Sequence, residues 1–175
     1  MSEQIIHALL LALHNIALVG CAAAPFYNGN LVRKRGQYGP KLNYELDKVV
    51  EDTIQGTTPY CVTFIITLFV TGLAIPFNHY VFHGVTANLH MVANAALAAK
   101  LVCVFGMVAI MAIIFLKINP KLRALFADFT PSDIPDAKNE ATFFALRKRR
   151  KELCDKCLIF ALGVLVFSAF LGFKL

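Results

Sequence analysis

Four stretches of this chain, at 5–27, 59–78, 88–117 and 154–174, are apolar over about the length of a membrane crossing. A span needs roughly 20 residues at a rise of about 1.5 Å each, and all four reach it. Their apolar cores carry no Asp or Glu. The chain is 58% hydrophobic and 16% charged, where an ordinary soluble domain is about half apolar and about a quarter charged. Folding it around one water-facing core would leave large apolar patches exposed. In lipid every backbone polar group must be satisfied internally, which leaves helices as the economical solution. The expected fold is all-α: a single domain over residues 1–175, built as a four-helix transmembrane bundle with short amphipathic cytoplasmic helices.

The net charge is +6, and its basic residues are clustered. They gather at Arg33-Lys34-Arg35, at Lys117, Lys121 and Arg123, and at Arg147-Lys148-Arg149-Arg150-Lys151, each bordering an apolar stretch. The 78–88 connection has no Lys or Arg. The positive-inside rule therefore puts both long connections in the cytoplasm and both termini on the non-cytoplasmic side, in a bacterial-type inner or plasma membrane or an organelle membrane. Nucleic acid is a poor partner, because no basic face is interleaved with aromatics and there is no Trp. Leu18-Val19-Gly20-Cys21 has the form of a lipoprotein cleavage box. Met1-Ser2-Glu3-Gln4 lacks the positive region a signal peptide needs, so the first stretch is expected to stay as an uncleaved helix.

The connections carry helical periodicity. Leu42, Leu46, Val49, Val50 and Ile54 recur at helical spacing opposite Glu45, Asp47, Glu51 and Asp52, which predicts an amphipathic helix with its carboxylates turned to water. Gly56 closes it, Thr57 or Thr58 caps the second span, and Pro59 sits in that span's first turn. Pro76 is expected to end or bend the second span, with 78–86 as a short outer turn. A short amphipathic piece at 120–129 and a polar turn at 130–135 lead to a helix from about Asn139 into the fourth span. The run at 147–151 reads as structural punctuation or as contacts to lipid headgroups.

Lys100 lies near the middle of the third span. A charge there costs several kcal/mol unless it finds a partner inside the bundle, and no acid of the spans lies at that depth. Its counter-charge must be a bound carboxylate, a phospholipid or another subunit, unless the amine is neutral or snorkels to the surface. His14 falls at a similar depth in the first span, to within roughly 5 Å by the helical rise. A histidine and a lysine at one level inside a bundle suit a haem b or another tetrapyrrole. The imidazole would ligate iron and the ammonium would pair with a propionate. The alternative for His14 is an interhelical hydrogen bond to a backbone carbonyl or to Asn94.

His14-Asn-Ile-Ala-Leu-Val, followed by Ala24, Phe26-Tyr27 and Leu31-Val32, resembles the first helix of HemJ-type protoporphyrinogen oxidases, relatives of CopD-type copper-resistance membrane proteins. Lys100-Leu101 stands where that family carries a third-span lysine, and Leu46-Asp47-Lys48 through Pro59 resembles its approach to the second helix. The resemblance covers roughly residues 10–125. Cys21 replaces a family tryptophan, Asn30 an arginine and Met111 a histidine, and the proline near the start of the last span is missing. The resemblance implies the fold and a tetrapyrrole site at His14 and Lys100 more than it implies the oxidase activity.

Two other readings stand beside it. The chain could be a non-catalytic accessory subunit of a larger respiratory, photosynthetic or oxygenase complex, with other membrane subunits or a second copy of itself as partner. Alternatively His7, His79, His83 and His90, gathered on the outer side, could hold copper or zinc. The five cysteines read as small buried hydrophobes, since Cys154-Asp155-Lys156-Cys157 is a lone C-x-x-C. No phosphate loop or Ser/His/Asp arrangement is present, which disfavours kinase and hydrolase chemistry.

Overall fold

A computed structural model describes residues 3–39, 41–84, 91–130 and 136–170. Among these the chain is helical throughout, with no strand. Helix α1 runs Glu3–Gly36, α2 Tyr44–Gly56, α3 Thr58–His83 and α4 Met91–Ile113. A π-helical turn, Ile114–Ile118, joins α4 to α5 (Asn119–Ala127), and α6 is Ala137–Phe170. Four helical stretches are long and apolar enough to cross a membrane, and the chain is a multi-pass membrane protein. Residues 88–90 of the third expected span and 171–174 of the fourth lie outside the described residues.

Helix α1 is the spine. It packs along α3 on one side and α6 on the other, while α4 packs along α6. Small residues set the closest approach: a Cβ added at Gly20 of α1 would come within 2.5 Å of the Phe64 ring of α3. The apolar core lies between the helices at Ala17, Leu18, Cys21, Leu68, Met107 and Ala161, all buried. Cys61, Cys154 and Cys157 are buried in the same core. Large side chains such as Ile16, Val19, Leu73 and Ile159 face outward, as helices surrounded by lipid require.

The structure corrects two expectations about helix ends: of the end or bend foreseen at Pro76 it removes the end, and the outer turn foreseen at 78–86 is helical as far as His83. Pro76 does not stop α3, which continues to His83 and closes at Gly84 in the left-handed conformation (φ 69°). A proline inside a membrane helix is tolerable where neighbouring groups absorb the freed carbonyl. Here that carbonyl belongs to Gly72, four residues earlier. The π-helical turn has a similar origin. Pro120 has no N–H for the Leu116 carbonyl, and the wider turn just before it absorbs the mismatch.

The third correction concerns α2. Its helical period is as expected, but its buried face is Asp47, Val50, Glu51 and Ile54, with Asp47 0% and Glu51 1% exposed, while Val49 is 62% exposed. Asp47 and Glu51 point into the protein, while Glu45 and Asp52 stay exposed as expected. The reason lies about 100 residues away, on α6, where Arg147 and Arg150 turn inward rather than toward headgroups.

Candidate functional site

His14 and Lys100 meet. Burial of His14 on α1 follows from the close α1–α3 packing, and its ring lies beside Gly72, where an added Cβ would be 3.5 Å from Cε1. His14 Nδ1 is 2.9 Å from Thr71 Oγ1. The Thr71 hydroxyl has one proton, and it donates this to the Thr67 carbonyl one turn earlier (2.6 Å). Its oxygen is therefore left to accept, so Nδ1 carries the imidazole hydrogen and donates. The other nitrogen, Nε2, keeps its lone pair. Lys100 Nζ, half-buried on α4, lies 3.4 Å from that lone pair. Among the described residues no carboxylate is paired with Lys100.

The result is a short polar relay through an apolar bundle, Thr71–His14–Lys100, contributed by α3, α1 and α4. The threonine fixes the ring and its tautomer, much as a carbonyl or carboxylate does behind a metal-bound histidine. The exposed chemistry is one imidazole lone pair and one amine. Together these can ligate a metal centre and neutralise an acid. Near this relay Phe69 of α3 and Phe105 of α4 meet with ring centroids 6.3 Å apart.

The histidines foreseen at the outer face separate. His79 and His83 come together with Glu3. His7 is exposed on α1 and stands outside that group, and His90 lies outside the described residues.

The opposite end of the bundle holds a buried ionic network. Arg35 of α1 grips Asp47 with two hydrogen bonds, Nε to Oδ1 at 2.6 Å and Nη2 to Oδ2 at 2.7 Å. Arg150 of α6 does the same to Glu51, Nη2 to Oε1 at 2.7 Å and Nη1 to Oε2 at 2.8 Å. Arg147 bridges the two acids, with Nη1 on Asp47 and Nε on Glu51 at 3.0 Å. Arg35 also donates to the Gly39 and Lys41 carbonyls at 3.0 and 2.8 Å. Three guanidinium groups face two carboxylates, and each is at least nine-tenths buried. Burial alone would raise the Asp47 pKa. Hydrogen bonds from Arg35 and Arg147, the Arg147 charge and the Asn43 N–H outweigh it, and the carboxyl is held below its ordinary value.

Next to this network lies a cavity of about 30 Å³, bordered by Asn28, Cys61, Met111, Arg150, Cys154 and Cys157 among others. Among the described residues Arg150 Nε and Asn28 Oδ1 have no hydrogen-bond partner. The space suits a single bridging water.

Sequence reasoning missed Thr71, Glu3 and the arginine network. Thr63, Thr67 and Thr71 form a hydroxyl stripe at i, i+4 spacing that signals self-capping rather than a site. The i, i+4 pair Asp47–Glu51 and the i, i+3 pair Arg147–Arg150 were the available signal for the network. No protein-family model, no curated protein and no solved structure matches the chain.

Proposed function

We propose that the protein binds a haem or related tetrapyrrole within the membrane, with His14 Nε2 as axial ligand and Lys100 as partner of a propionate. The observation that carries this is the state of the imidazole: Nδ1 is committed to Thr71, so Nε2 keeps its lone pair, which faces an amine that has no acid of its own among the described residues. The donor set fits the group. Iron takes a neutral imidazole nitrogen, and the tetrapyrrole brings the carboxylate that Lys100 lacks.

Each residue has its own task. Thr71 holds the ring orientation and the hydrogen on Nδ1. His14 supplies the lone pair. Lys100 would hold the ligand's acid, and that pairing would neutralise both charges in an apolar surrounding. The bound group would supply redox chemistry at its iron. The resemblance of the short motifs around His14 and Lys100 to HemJ-type proteins agrees with this assignment of a first-span histidine and a third-span lysine. In this reading the arginine end faces the cytoplasm and both chain ends face the other side. Reporter domains fused to either terminus should therefore be active only in the non-cytoplasmic compartment. Activity of both on the cytoplasmic side reverses the orientation.

The test is an absorption spectrum of the full-length protein purified from haem-replete cells. A Soret band is expected, lost or strongly shifted in His14→Ala. Lys100→Met should retain axial ligation while weakening affinity by about 10- to 100-fold, the value of one charge-assisted hydrogen bond. Thr71→Val should broaden or shift the band by releasing the ring. A colourless protein that takes up no added haem defeats the proposal. If it also co-purifies stoichiometrically with larger membrane subunits, the Lys100 counter-charge belongs to a partner chain and the accessory-subunit reading stands.

A further inference from the structure

Helix α1 begins and α3 ends at the same end of the bundle, opposite the arginine network. There His79 and His83, one helical turn apart on α3, stand with ring centroids 4.5 Å apart and planes inclined by 38°. Glu3 reaches over from the first turn of α1. Its two carboxylate oxygens lie 3.1 and 3.0 Å from His83 Nε2, and Oε1 lies 3.7 Å from His79 Nδ1. One ligand atom from each of the three residues falls within 4.8 Å of the others. All three side chains are between 29% and 48% exposed, so an ion can enter from solvent.

A plain side-chain pairing needs only one of the two rings: His83 Nε2, 3.0 Å from Glu3 Oε2, already supplies it, while His79 Nδ1 at 3.7 Å is too far to donate to the same carboxylate. A cation accepting one lone pair from each ring and one from the carboxylate accounts for the convergence of all three. Two imidazole nitrogens and one carboxylate oxygen form a borderline donor set. It is also the three-ligand set of zinc sites that keep a fourth position open.

We propose that Glu3, His79 and His83 form a site for a divalent transition-metal ion of borderline hardness, with zinc as the test ion. The ligands come from two helices, so a bound ion ties the start of α1 to the end of α3. Glu3 precedes His14 by 11 residues on α1, roughly 16 Å along the helix axis, and the site shares no residue with the tetrapyrrole proposal, so it stands or falls independently of it.

The experiment uses full-length protein in detergent, stripped with chelator and titrated calorimetrically with Zn2+ alone. The expected result is saturable binding of one zinc per chain and a rise in apparent Tm at saturation. Affinity should fall by at least about tenfold in His83→Ala and again in Glu3→Gln, which keeps the side-chain shape. His14→Ala should leave zinc binding unchanged. Both site variants alter partly exposed side chains, and elution as monodisperse protein with unchanged helical circular dichroism confirms folding. The proposal is overturned if the parent protein shows no stoichiometric zinc uptake, or if both site variants bind zinc as it does.

Discussion

Asp47→Ala is expected to destabilise the arginine end of the bundle by about 3–5 kcal/mol, because it leaves the buried Arg35 guanidinium facing no anion and Arg147 with Glu51 alone. Asp47 accepts from Arg35 through both oxygens, from Arg147 and from the Asn43 N–H (2.9 Å). After its removal Arg35 keeps only the Gly39 and Lys41 carbonyls. Asp47→Ala/Arg35→Ala should be less damaging than the sum of the two single changes, since the second removes a charge the first has orphaned. Apparent Tm in detergent measures the loss, and faster amide exchange confined to α2 would locate it. A shift within about 0.5 kcal/mol would show that the network is solvated rather than sealed.

The same residue sets an acid limit. Its pKa is depressed in the folded protein, so its contribution is complete above the ordinary aspartate pKa of about 3.9. That contribution is lost as pH falls through the lower folded value. Parent protein should therefore lose Tm more steeply than Asp47→Asn does as pH falls from the ordinary aspartate value of about 3.9 toward the lower folded one.

Phe143→Ala is expected to cost a similar amount, about 3–5 kcal/mol, for a different reason. Phe143 is fully buried at the head of α6. Its ring meets Phe126 at 5.7 Å, Phe129 edge-on at 5.6 Å and Phe144 at 5.5 Å. The Arg147 guanidinium lies 4.6 Å from its centroid. Truncation opens a cavity between α5 and α6 and removes the aromatic face under Arg147. Phe143→Leu, which refills most of the volume, should recover more than half of the loss. Because both positions act on Arg147, Phe143→Ala and Asp47→Ala should combine non-additively. Strict additivity in apparent Tm would mean that ring and ion pairs are independent.

The four spans were legible because a run of some 20 apolar residues has one economical meaning, whatever it packs against. The meeting of His14 with Lys100 was legible too, since depth along a helix follows from counting residues. What failed was direction around the helix axis. Periodicity identified α2, but its polar stripe was assigned to water on the ordinary premise that carboxylates are solvated. That premise fails where arginines arrive from another helix, and a sequence does not show which helices will be neighbours. Thr71 was hidden for a related reason. A threonine that satisfies itself on the preceding turn looks inert until a second residue uses its remaining lone pair. Glu3 enters the sequence reading only as part of a start without positive charge, and an acid in the first turn of a helix needs no further role. At Pro76 an end and a bend both stay open in the sequence, because its missing hydrogen bond is certain while the packing that lets α3 run on to His83 is not written locally.

The ionic network also imposes an order on biogenesis. Arg35 and Asp47 are 12 residues apart and can pair as soon as α2 leaves the ribosome, whereas the Arg147 and Arg150 partners of Glu51 are 96 and 99 residues downstream of it. Synthesis proceeds from the N-terminus. Throughout insertion of α3 and α4, therefore, Glu51 must wait in the aqueous or headgroup layer with its charge unmatched. Only the arrival of α6 lets that acid leave water. The last helix thus works as a latch, and a nascent chain interrupted before it remains open and recognisable as unfinished.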